Sequence, residues 1–224
     1  MNVYPIFLNN LSGRRCVVIG GDHEAERKAH ELVDCNASVE VVAPEATRRI
    51  AASDAAGSLT WHRRDYVEGD LKDAFLAIVS ETNPARTAPI YKEAMAEKVL
   101  FNAMDDVDHC TFVAGSVVRR EQLVVAISTS GAAPALSVRM RQEMEERYGP
   151  EFATFLRIMK ALRAPMAATY PEFKTRKRLW YEIVDGDVLD LLAHGRHQEA
   201  LDRVESITGL RPEVELEAPE YIPA

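Results

Sequence analysis

Over the first hundred residues, short apolar runs alternate with polar stretches at helical spacing. Arg15 to Ile19, Ser38 to Val42, Ala74 to Val79 and Val99 to Asn102 read as buried strands, and Ser58 to Arg63, which alternates, reads as another. Between them lie three helix signals. Ala25, Ala29, Leu32 and Val33 share one helical face after Gly20-Gly21. Ala43-Pro44-Glu45 opens a second helix, with Pro44 near its first turn, that ends by Gly57. Glu81-Thr82-Asn83-Pro84 caps a third that runs to about Lys98. This strand–helix alternation predicts an α/β fold built on a Rossmann-like doubly wound parallel sheet. Ligands of such sheets meet the carboxyl ends of the strands, here Gly20-Gly21, Ala43-Pro44, Ser80-Glu81 and Asn102 to Asp105.

After residue 110 the pattern changes. Thr111 to Val118 and Gln122 to Ser128 are β-rich and joined by Arg119-Arg120-Glu121, which predicts an antiparallel hairpin. A small-residue loop, Ser128 to Pro134, leads into a helix from Ala135 to Tyr148. Gly149-Pro150 then marks a boundary. Glu151 to Leu162, Pro171 to Val184, Val188 to Ala193 and Gln198 to Thr208 predict an all-helical region. Leu210 to Ala224, with three prolines and four glutamates, reads as a loose tail.

With 47% apolar residues in 224, the chain can bury a sizeable core. A net charge of −8 and the lack of a long basic run argue against nucleic acid as a partner. Three cysteines, Cys16, Cys35 and Cys110, match neither a disulfide framework nor a zinc knuckle, and read as thiols of a reducing compartment. Neither a leader-like N-terminus nor a membrane-length apolar run is evident, so a cytoplasmic protein without a membrane partner is expected.

The candidate chemistry gathers at the strand ends. Gly20 and Ala25 fill the outer places of a Gly-x-Gly-x-x-Gly/Ala fingerprint, but Asp22 holds the middle one. There a carboxylate faces the approach of a diphosphate, and two unit charges ~5 Å apart at an effective dielectric of ~20 repel by roughly 3 kcal/mol. A structural turn without nucleotide stays open as the other reading. Asn102 to His109 holds Asp105, Asp106, Asp108 and His109, which suit a general base or a metal ligand as well as an acidic cap. Ser128-Thr129-Ser130-Gly131 offers hydroxyls and N–H groups before a helix, for an anion or merely as a cap. Lys174 to Tyr181 is a basic stretch, either a solvated face or one turned to an acidic substrate or a partner chain. His30, His62, His194 and His197 have no evident partners and are expected at the surface.

Val18-Ile19-Gly20-Gly21 followed by Ala25-Glu26-Arg27-Lys28 resembles the opening of the precorrin-2 dehydrogenases, a module that also forms the N-terminal part of sirohaem synthases. Tyr4 to Phe7, Phe101-Asn102-Ala103-Met104-Asp105, Thr111-Phe112, Val125 to Gly131 with Pro134, and Arg178 to Tyr181 are similar too, in order from about residue 4 to 208. The methyltransferase half of the fused enzymes has no counterpart in these residues. The resemblance implies NAD-dependent removal of a hydride from precorrin-2, giving sirohydrochlorin, with ferrous iron as a further substrate in members that also make sirohaem. It implies a tetrapyrrole substrate and a homodimer. The expected parts are an NAD-binding domain over 1–113, a dimerisation hairpin and helix over 114–149, a helical domain over 150–210 and the tail over 211–224.

By the same resemblance Asp105 is the essential carboxylate. The cofactor contacts fall on His23 and Glu24, with Gly20, Gly21, Asp22 and Ser80 beside them, and on Pro44 and Glu45 after the second strand. Ser128, Thr129 and Ser130 border the tetrapyrrole with Asn102, and a metal would meet Asp105 and His109. Glu45 suits the adenosine ribose hydroxyls and so NAD, while Arg48 and Arg49 keep NADP open. Two alternatives stand beside this reading: a chelatase-leaning member whose NAD site has decayed, and a non-catalytic tetrapyrrole- or nucleotide-binding module.

Overall fold

The computed structural model describes residues 3–104 and 106–216. Among them the chain forms a five-stranded sheet, a two-stranded hairpin and eight α-helices, divided into two compact units, one up to Ala114 and the other from Gly115. In the first unit, β1 (Arg15–Ile19), β2 (Ser38–Val42), β3 (Thr60–His62), β4 (Leu76–Val79) and β5 (Leu100–Ala103) are all parallel in the order β3-β2-β1-β4-β5. A parallel sheet is covered on both faces, which is why β1 and β4 read as unbroken apolar runs.

The two faces bury different side chains. Cys16 and Val18 of β1 pack with Ala25, Ala29 and Leu32 of α1 (His23–Val33) and Ile50 of α2 (Arg48–Ala55). Val17 and Ile19 pack on the other face with Ile90 and Ala94 of α3 (Pro84–Glu97) and with Phe101. As the three helix signals imply, no helix joins β3 to β4. A looped segment does the job, its Leu71 fully buried in the α3 face. Glu93 of α3 holds this segment by accepting the Gly69 and Leu71 N–H groups at 3.0 and 2.9 Å and the Tyr66 hydroxyl.

A correction concerns α2. It starts at Arg48 rather than near Pro44, because the side chain of Thr47, not the proline, supplies the N-cap by accepting from the Ile50 N–H. Three histidines expected to lack partners have them: His30 meets Glu26 O and Ser53 Oγ, His62 meets Glu40 at 2.9 Å, and His194 meets Asp190 O.

In the second unit, β6 (Ser116–Arg120) and β7 (Leu123–Ile127) pair antiparallel, so the strand predicted from Thr111 starts five residues later. Residues 111–112 instead lie along β5, with Thr111 and Phe112 N–H groups bonded to Phe101 O. Then come α4 (Pro134–Arg147), α5 (Glu151–Thr169), α6 (Phe173–Val184), α7 (Val188–Ala193) and α8 (His197–Thr208). α5 runs seven residues past its expected end and through Pro165, since Ile158, Leu162 and Met166 continue one buried stripe. The start of the supposed loose tail is also ordered by packing. Leu210, Val214 and Leu216 lie against the helical core, and Arg211 pairs with Asp202 and Glu205 at 2.9 and 2.5 Å. Residues 217–224 lie outside the described residues. No described helix is long and apolar enough to cross a membrane.

Candidate functional site

The strand order reverses between β1 and β4, and open α/β sheets bind ligands at that point. Here the chain leaves β1 through Gly20-Gly21 and β4 through Ser80. Gly20 has φ +125, and a Cβ on it would overlap Ser80 Oγ and sit 3.2 Å from Ser80 Cβ. A Cβ on Gly21 would overlap Glu45 O and lie 2.8 Å from Ala46 Cα. Both positions therefore need glycine, because the turn packs directly on Ser80 on one side and on the backbone at Glu45-Ala46 on the other. The turn is fixed by Gly20 N–H to Val42 O, Ser80 N–H to Ile19 O and Thr47 N–H to Gly21 O, each 3.0 Å. Thr47 escaped the sequence reading, although a threonine three residues before the first buried apolar position, Ile50, is a cap signal.

Asp22 is the N-cap of α1, its carboxylate accepting the Ala25 N–H at 2.8 Å. It is exposed, as are His23 and Glu24, and the His23 side chain is 95% exposed. Glu24 pairs with Arg27 at 2.6 Å, and this hydrogen bond holds its carboxyl below the usual range. Pro44 and Glu45 are exposed on the facing loop, and Ser80 is buried beside Gly20. These cofactor candidates are thus gathered at one edge of the sheet.

Beyond β5, Asp105 lies outside the described residues. Asn102 is buried, and its side-chain amide donates to Phe112 O at 3.0 Å, so it ties the following loop to the strand. The Cys110 thiol donates to Ala103 O and Asp106 O, and burial pushes its pKa up. His109 Nδ1 sits 2.8 Å from Asp106, and the ring meets Tyr91 edge-on at 4.8 Å. The pair borders a cavity of about 100 Å³ walled by Pro84, Thr87, Tyr91 and Phe101. Among the described residues no three His, Cys, Asp or Glu side chains are grouped to hold a metal ion. Ser128, Thr129 and Ser130 belong to the second unit, after β7. Ser128 Oγ accepts from the Ser130 N–H and Thr129 Oγ1 from the Ala133 N–H, at 3.1 and 3.2 Å, while Ser130 takes φ +53.

A five-stranded parallel sheet with a double-glycine cradle at its switch point defines a Rossmann-type protein of the nucleotide-binding kind. A family model described as "Putative NAD(P)-binding" matches residues 7–116, "Sirohaem biosynthesis protein central" matches 120–147 and "Sirohaem synthase dimerisation region" matches 151–207. The chain is 31% identical over 208 residues to the siroheme synthase of Photobacterium profundum, covering 93% of this chain and 44% of that protein. It is 31% identical over 200 residues to that of Azotobacter vinelandii, covering 89% and 43%. The three models match successive stretches of the chain, which is similar to these siroheme synthases over less than half of their length. A solved precorrin-2 dehydrogenase, SirC, shares the fold at TM-score 0.72 and 24% identity, over 91% of this chain and 100% of that one.

Proposed function

We propose that this chain is an NAD-dependent precorrin-2 dehydrogenase that forms sirohydrochlorin and acts as a homodimer. One observation carries the reading: at the switch point of the parallel sheet the Gly20-Gly21 turn packs directly on Ser80 and on the loop at Glu45-Ala46, which gathers the strand-end candidates at the start of α1. The residues fit the cofactor. Gly20, Gly21, His23 and Glu24 would lie along its diphosphate, Glu45 with Pro44 at its adenosine ribose, and Ser80 under the turn. NAD, when bound, supplies the acceptor for a hydride. Asp105 takes the proton that leaves the tetrapyrrole in the same two-electron oxidation. Asn102 ties the end of β5 to the segment at Phe112, and Ser128, Thr129 and Ser130 of the second unit are candidate contacts for the substrate's polar groups. Ferrous iron is a further substrate in this proposal, Asp105 and His109 being its candidate contacts. The pairing surface takes in the hairpin and α4, whose Val117, Leu136, Val138 and Met140 are exposed, together with the helical region.

The test is anaerobic incubation of precorrin-2 and NAD with the wild type and Asp105→Ala, with and without ferrous iron. Sirohydrochlorin should form with the wild type alone, while both proteins titrate NAD alike. Wild-type turnover by Asp105→Ala would end the mechanism. A second reading, a chelatase-leaning member with a decayed NAD site, is favoured by the carboxylate of Asp22 at the helix end. It expects iron-dependent sirohaem formation from sirohydrochlorin and no NAD binding.

A further inference from the structure

Asp22 sits where it is both useful and costly. As the α1 cap it satisfies one of the helix's open donors, Ala25 N–H at 2.8 Å, and Glu24 and Glu26 add two more acids in the first turn. The nearby cations are largely committed elsewhere. Arg27 binds Glu24 and Glu31, both at 2.6 Å, and Arg49 faces Glu26 at 3.8 Å. Only Arg48, exposed at the start of α2, has no acid partner among the described residues of this stretch. The glycine turn leads straight into α1, whose start is the place a diphosphate would take in the proposed cofactor site, yet the Asp22 carboxylate already occupies that positive end of the helix.

We infer that Asp22 is the residue that sets the strength of dinucleotide binding: its carboxylate competes with the diphosphate for the start of α1, so the site binds NAD weakly without being lost. The inference rests on the proposed cofactor site. Two unit charges ~5 Å apart at an effective dielectric of ~20 correspond to about a 100-fold change in affinity, and about 10- to 100-fold remains if the diphosphate shifts outward. The cap itself is not what weakens binding, because asparagine caps a helix as well as aspartate does.

Calorimetric titration of NAD into the wild type, Asp22→Asn and Asp22→Ser, at low and at high salt, separates charge from capping. Asp22→Asn should bind about 10- to 100-fold more tightly and unfold at the same temperature without ligand. Its advantage should shrink as salt screens the repulsion. Asp22→Ser, with a neutral capping oxygen, should tighten binding likewise even if one variant folds poorly. Measurable wild-type binding that neither variant improves overturns the inference and leaves the cofactor site standing. Binding by none of the three overturns the site as well.

Discussion

Gly21→Ala is the substitution that the turn should tolerate least. Its φ lies outside the left-handed region, so the cost is steric. The new Cβ would overlap Glu45 O, with Glu45 C at 2.9 Å and Ala46 Cα at 2.8 Å. These are backbone atoms, so no rotamer change relieves them, and the facing loop has to retreat by about 1 Å. That loop is anchored by Thr47 N–H to Gly21 O at 3.0 Å, and Thr47 in turn caps α2. Overpacking costs ~1–3 kcal/mol and a strained or broken hydrogen bond ~0.5–1.5 kcal/mol, together about 2–4 kcal/mol. Gly13→Ala is the control. Gly13 has φ +70 but nothing within 4 Å of an added Cβ, so it should cost ~1 kcal/mol of backbone strain and leave NAD binding alone. Urea unfolding and NAD titration of both variants check this. A Gly21→Ala protein as stable as the wild type and with unchanged NAD affinity would refute the close approach of the two loops.

Glu93→Ala should destabilise the chain by about 2–4 kcal/mol in urea unfolding, because the Gly69 and Leu71 N–H groups lose their acceptor and buried Leu71 its anchor. Glu93→Gln, which keeps one carbonyl acceptor, should lose less. The Arg15 guanidinium, bonded to Glu40 at 2.7 and 3.0 Å, and secondarily His62 hold the Glu40 carboxyl below its ordinary range. A pKa depressed on folding gives stability that is present above the unfolded value, about 4.3, and lost as pH falls through the folded one. Thermal unfolding should therefore drop in acid, and Glu40→Gln should be less stable at neutral pH but flatter below about pH 4.3. Leu136→Asp on the exposed face of α4 should shift the protein towards monomer in sedimentation, and an unchanged mass would exclude that face from the pairing surface.

Much of the sheet could be read ahead of the structure because β-branched runs punctuated by glycine leave few choices. β1 and β2 came out to the residue, and the glycine turn marked the switch point. Helix starts were harder. Pro44 imitates a first-turn proline, while the cap that decides the start is the less conspicuous Thr47. The helix read as ending at Leu162 runs on through Pro165, because burial of Met166 outweighs one missing backbone donor. Leu210 to Leu216 looked like a tail because its composition is polar, yet its alternate apolar residues have a core to lie on. In the site, the sequence showed where an acid breaks the glycine fingerprint but not that the acid caps α1. A local bond from a side chain to the next turn leaves no trace beyond the residue type. The His109–Asp106 pair and its contact with Tyr91 depend on the packing of the loop after β5 on α3, and only His109 with its neighbouring aspartates stood out in advance.

The central claim is that hydride leaves a tetrapyrrole for a nicotinamide cofactor held at the β1–β4 switch point. Its most direct test is the stoichiometry of an anaerobic reaction with excess NAD, following NADH and sirohydrochlorin together. The predicted result is one NADH for each precorrin-2 consumed, with Gly21→Ala depressed in step with its lost NAD binding. Sirohydrochlorin appearing without NADH, or no oxidation at any NAD concentration, would contradict it.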